Sequence, residues 1–165
     1  MVQWFALTLY RKKIISNMKT RIQWTEVDPA AYKAMSAVQA YVNNCSLDKK
    51  LVYLVEIRAS QINGCAFCLD MHCFHAREIG ETEQRLYTVA GWREAPFFSD
   101  KERAALALTE AVTLVASTNV PDDVYNEAAL HFSDKEMVEL LMLIVTINGW
   151  NRMVVATRKL TAERK

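Results

Sequence analysis

The chain has 165 residues, of which 52% are hydrophobic, enough for one domain that buries roughly 70% of its unfolded surface. Twenty basic and nineteen acidic residues leave a formal net charge of +1, and neither sign gathers into a long block. The broad positive field on which nucleic-acid binding depends is therefore missing, and no nucleic-acid partner is expected.

The first ten residues are mostly apolar, but the stretch from Val2 to Tyr10 is far short of the ~20 residues that span a bilayer. Arg11, Lys12 and Lys13 follow it, whereas a secretory signal carries its charges in front and ends in a small-residue cleavage site. A soluble, membrane-free chain is expected. Met18-Lys19 offers a second start. Residues 1–17 thus read as an upstream extension contributing little to the fold, and residues 18–165 as the folded domain.

Four glycines, three prolines and long apolar patterns at helical spacing predict an all-helical, single-domain bundle with no convincing strand. The first core helix is expected to open at Asp28-Pro29, since proline suits the first helical turn, and to carry Ala31, Met35, Val38 and Tyr41 to about Asn44. A second follows Ser46, with Leu51, Leu54, Val55, Ile57 and Arg58, and breaks at Gly64, where a left-handed residue costs little. The third runs from Cys65 to Gly80 and the fourth from about Thr82 to Trp92, before Pro96. Ser99-Asp100-Lys101-Glu102 and Ser133-Asp134-Lys135-Glu136 both match the capping box. The first precedes a helix through Val115. The second precedes a final helix from Val138 to about Lys159, and a shorter helix follows Pro121. The final helix is apolar on more than one face, which predicts burial either in a subunit interface or at the centre of one domain.

The chemistry concentrates in Gly64-Cys65-Ala66-Phe67-Cys68-Leu69-Asp70-Met71-His72. On a helix Cys65 and Cys68 meet at i, i+3, and Cys68 and His72 at i, i+4. A thiol reacts as its thiolate, and a helix N-terminus stabilises that charge. The spacing allows an intramolecular disulfide, while His72 can accept the Cys68 proton or relay one to a leaving oxygen. Two plainer readings compete. The cysteines could be small buried hydrophobes beside an ordinary histidine, or Cys65, Cys68, His72, Cys73 and His75 could offer zinc ligands. A single helix wraps a tetrahedral ion poorly, and no second CxxC or HxxxH follows, so no metal is expected. Three of the four cysteines lie within nine positions. That crowding suits a catalytic cluster in a reducing cytoplasm better than a framework of bridges. Cys45 reads as a buried or loop thiol before a cap at Ser46, and His131 has no partner pattern.

At these residues the chain resembles the AhpD-like alkylhydroperoxidases of the carboxymuconolactone decarboxylase superfamily. The likeness is strongest over Glu56 to Phe98, with Ile57-Arg58-Ala59-Ser60-Gln61-Ile62-Asn63-Gly64-Cys65, Asp70-Met71-His72 and Gly80-Glu81-Thr82-Glu83-Gln84-Arg85-Leu86. It continues through Glu102 to Glu110 and through Ile147-Asn148-Gly149-Trp150-Asn151-Arg152. The resemblance implies an all-helical fold, with the CxxC at a helix start, assembled as a homo-oligomer (dimer, trimer or hexamer). It implies that Cys68 attacks a hydroperoxide, that the sulfenic acid condenses with Cys65 to a disulfide, that His72 relays protons, and that an external dithiol reductant restores the thiols without a cofactor.

Two departures accompany the resemblance. The family's glutamate position, twelve residues before the first cysteine, is Tyr53 here, and the nearest carboxylate is Glu56, one turn along the same face. Glu56 is thus a candidate relay carboxylate or, equally, a surface partner for Arg58. The histidine some members carry beside the second cysteine is Phe67 here. Superfamily decarboxylases generally lack the CxxC pair, which disfavours lactone decarboxylation. Tyr53 is expected to line the site, and Trp150-Asn151-Arg152 to support it or to serve an interface. A non-catalytic oligomer with a redox-switch dithiol is the alternative.

Overall fold

The computed structural model describes residues 18–162; the 1–17 extension lies outside the described residues. These fold as α1 (Trp24–Val27), α2 (Pro29–Asn43), α3 (Lys49–Asn63), α4 (Ala66–Glu78), α5 (Glu83–Thr88), α6 (Asp100–Thr113), α7 (Val115–Thr118), α8 (Asp122–His131) and α9 (Asp134–Thr157), with a 3₁₀ turn at Val89–Gly91. No strand occurs among the described residues.

The caps explain the boundaries. Asp28 accepts from the amides of Ala30 and Ala31, both at 3.1 Å, with Pro29 at the first helical position. Both capping boxes form: the amides of Ser99 and Ser133 donate to Glu102 and Glu136 at 2.7 and 2.9 Å, and each serine oxygen accepts in return. The expected cap at Ser46 does not form. Asp48 caps α3 instead, while Ser46 donates from its amide and hydroxyl to Glu139 Oε2 at 3.0 and 2.6 Å, tying the α2–α3 loop to α9. The helix after Ser99 is shorter than its apolar pattern predicts. It ends at Thr113, and the Thr118 hydroxyl satisfies the Ala111 carbonyl at 2.7 Å, leaving Leu114 and Val115 exposed. Along α2, Tyr41 is exposed and its neighbour Val42 is buried.

Helix α3 is the axis of the bundle, packed against α4, α6 and α9. One side places Leu51, Val52 and Val55 against Ala105 and Leu108 of α6 and Leu140, Leu143 and Ile144 of α9. The other places Leu54 and Ile57 against Ala76, Leu86, Val89, Trp92 and Leu106. By length and composition α9 could also cross a membrane. Here its Leu140, Leu143, Ile144 and Ile147 face the core, while Val138, Val145 and Val155 remain exposed.

At the far end of α3 a buried polar network fixes the corner that leads into α4. Asn63 Nδ2 donates to Oδ1 of Asn148 and of Asn151, each at 2.9 Å, and Asn151 Nδ2 donates to Ser60 Oγ at 3.1 Å. Gly64 then turns left-handed at φ 65°, a conformation cheap only for glycine. Gly149 has a different role: a Cβ there would stand 3.1 Å from the Met35 methyl, so its absence lets α2 approach α9.

Candidate active site

Cys65 occupies the N-cap position of α4, without a side-chain capping bond, and Cys68 sits in the first turn; the helix opens at Ala66, one residue later than the sequence pattern suggests. The Cys65 amide is spent on the Ser60 carbonyl at 3.0 Å, whereas amides of the first turn lack helical acceptors and present positive charge. A disulfide joins Cys65 and Cys68, with Cα atoms 5.4 Å apart, in the ordinary range for such bridges.

The two sulfurs are not equivalent. Cys68 borders a cavity of about 580 Å³ together with Glu56 and His72, while Cys65 lies behind it, fully buried beside Val154. His72 follows Cys68 by one turn of α4. Its Nδ1 stands 2.8 Å from Oε2 of Glu56, without the alignment of a hydrogen bond, and no other group bonds it among the described residues. Glu56 is only 4% exposed, which rules out the surface-partner reading. Arg58 pairs elsewhere, with Glu110 at 2.8 Å. Burial would raise the Glu110 carboxyl, but hydrogen bonds from Trp92, Arg93 and Arg58 outweigh it and hold its pKa below the usual range.

Tyr53, one turn before Glu56, also lines the cavity, with its ring centroid 6.3 Å from those of His72 and His75. Burial, and then the charge of Glu56, raise its pKa, so the phenol keeps its proton at neutral pH. His75 reaches the cavity wall as well. Cys73 lies with Leu69 in the second core cluster, and burial, followed by Asp70, pushes its thiol pKa up. Cys45 is a half-buried free thiol, and His131 approaches Glu127 at 3.3 Å. Among the described residues no three His, Cys, Asp or Glu side chains converge as metal ligands would.

Several cavity residues carry no local signal in the sequence. Trp24, Tyr32 and Trp150 form an aromatic cluster with centroids 5.8 to 6.1 Å apart, and Trp150 Nε1 donates to Gln39 at 2.9 Å. Past α9, Arg158 turns left-handed and sends the chain back over the CxxC helix. There Lys159 Nζ sits 4.3 Å from the centre of the Phe67 ring and Thr161 donates to Asp70 at 2.9 Å. These residues come together from four separate segments. Of the cavity lining, Tyr53 and Trp150 are legible in the sequence, and Asn151 beside Trp150 fixes the α3 corner.

An all-helical bundle with a CxxC at a helix start makes this an AhpD-like protein. Residues 29–111 match the model of the carboxymuconolactone decarboxylase family, and the chain belongs to that family. It is 42% identical over 139 residues to the uncharacterised Bacillus subtilis protein YdfG, an alignment covering 84% of this chain and 95% of that one. An Agrobacterium tumefaciens crystal structure, described as a protein of unknown function and a candidate AhpD antioxidant defence protein, superposes with a TM-score of 0.87 at 41% identity, over 88% of this chain and all of that one. The debrominase Bmp8, solved with 2,3,4-tribromopyrrole, shares the fold with a TM-score of 0.72 at 16% identity, over 82% of this chain and 73% of its own.

Proposed function

We propose that the chain is a thiol-dependent peroxidase that reduces hydroperoxides through a Cys65/Cys68 dithiol–disulfide cycle. The observation that carries this reading is the asymmetry of the pair: of the two sulfurs, Cys68 alone borders the cavity, in the company of His72 and Glu56. The Cys68 thiolate attacks the outer peroxide oxygen, forming an S–O bond as the O–O bond breaks. The departing alkoxide takes a proton relayed by His72, whose imidazolium Glu56 stabilises. Cys65 then attacks the sulfenic sulfur, the S–S bond forms, and water leaves. An external dithiol carrier returns two electrons and two protons, so that hydroperoxide and two thiols give alcohol, water and a disulfide.

Two further readings belong with it. A reducing cytoplasm would keep the dithiol charged between turnovers. The exposed Val138, Val145 and Val155 of α9 suit self-association, which light scattering after gel filtration would register as a mass above that of one chain.

The test uses reduced protein and limiting cumene hydroperoxide. Cys68→Ser should lose peroxide consumption altogether. Cys65→Ser should still be oxidised once, leaving a sulfenic acid that dimedone traps at residue 68. Full consumption by Cys68→Ser would refute the assignment. A single oxidation of the wild type that changes the oligomeric state, without turnover in excess dithiol, would favour a redox switch instead.

A further inference from the structure

The cavity before Cys68, at about 580 Å³, lies within the range of sites for organic ligands and is far larger than a hydrogen peroxide molecule requires. Cys68, His72 and Glu56 are buried in its wall, and its lining is largely apolar, with Val52, Val154 and the Trp24–Tyr32–Trp150 cluster. Toward solvent stand two exposed ammonium groups, Lys49 at the start of α3 and Lys159 on the tail after α9. Lys49 Nζ donates to the Asn43 carbonyl at 2.6 Å, and Lys159 Nζ rests against Phe67. Both partners are uncharged, so no carboxylate is paired with either ammonium there. Among the described residues Glu56 is the one carboxylate on the cavity wall, and it is engaged with His72.

We propose that this cavity binds an amphiphilic monoanion: an apolar or aromatic body that packs against the tryptophans, with a carboxylate held between Lys49 and Lys159. For a substrate of this class the hydroperoxide group lies at the end remote from the carboxylate and is thereby directed to Cys68. The hydroperoxide part rests on the peroxidase reading, whereas binding of the anion rests on the cavity alone. Exposed charge pairs are individually weak, so selectivity here comes from two of them acting on a ligand already positioned by apolar contact.

The experiment compares 4-phenylbutyrate with 4-phenylbutanol, which differ in the charged end, on the disulfide form of the full chain. Calorimetry and tryptophan fluorescence give the affinities. The carboxylate should bind about tenfold more tightly at low ionic strength, with the preference shrinking as salt screens the lysines. Lys49→Met and Lys159→Met should each reduce the preference about threefold, while Trp150→Ala should weaken both ligands. Equal binding of acid and alcohol, a preference that survives both lysine substitutions, or no binding of either ligand would overturn the inference. A chain that keeps the preference but consumes no hydroperoxide would overturn the peroxidase reading and leave the binding site standing.

Discussion

Replacing Glu56 by glutamine removes one negative charge from the site and changes its shape little. The carboxylate oxygen lies 2.8 Å from His72 Nδ1, and the two side chains are 6% and 9% exposed. At that separation and an effective dielectric of ~20 the attraction between carboxylate and imidazolium is roughly 6 kcal/mol. Desolvation of two buried ions takes back most of it. A remainder of about 1.5–3 kcal/mol corresponds to roughly a 10- to 100-fold change in a step that needs His72 to hold a proton. That sits at the low end of what a positioned acid or base contributes. Stopped-flow tryptophan fluorescence of reduced protein mixed with hydroperoxide should therefore show Glu56→Gln oxidised 10- to 100-fold more slowly than wild type near neutral pH, with an unchanged far-ultraviolet circular dichroism spectrum. Wild-type rates in Glu56→Gln across the neutral range would refute the relay argument and leave Glu56 as a structural partner of His72.

Asn151→Ala should lower stability by about 2–3 kcal/mol, because the fully buried amide both accepts from Asn63 and donates to Ser60. Thermal unfolding should fall by about 4–10 °C, and disulfide formation should slow as the Asn63–Gly64–Cys65 corner loosens; an unchanged melting temperature would count against the network. Glu136 is held down to about 2 by the Ser133 amide first, then by Lys101 and the Ser133 hydroxyl. Its contribution is thus complete above the ordinary value of 4.5 and lost as pH falls toward about 2. Because the side chain is 27% exposed, screening trims the effect, and Glu136→Gln should cost about 1 kcal/mol at neutral pH. Urea titrations should show that gap closing between pH 4.5 and 2; a gap constant with pH would remove the carboxylate as its source.

Much of this molecule is written in local pattern. Helix starts at Pro29, Ser99 and Ser133, the break at Gly64 and the CxxC at a helix N-terminus follow from caps, glycine conformation and apolar period, all of which act within a few residues. At Ser46 the local rule failed because a distant group intervened: its hydroxyl went to Glu139, and Asp48 is the cap. Helix α6 stops at Thr113 before its apolar pattern ends, where the nearby Thr118 hydroxyl takes the Ala111 carbonyl.

The order of the two sulfurs toward the cavity, the burial of Glu56 and the choice of its partner are of another kind. In sequence, Glu56 read equally as a relay carboxylate of the site and as a surface partner for Arg58 or a nearby lysine. Packing α3 between α4, α6 and α9 turned Glu56 to His72 and left Arg58 to Glu110. The cavity is the clearest case. Trp24, Tyr32, Lys49 and Lys159 share no period and no motif, and they meet because the chain folds α1, α2 and the segment after α9 around one end of α4. The sequence by itself determined the CxxC pair and the helix that holds it, since those depend on short-range geometry. Only tertiary packing decided what surrounds the pair, since the surroundings are contacts between segments that the sequence keeps far apart.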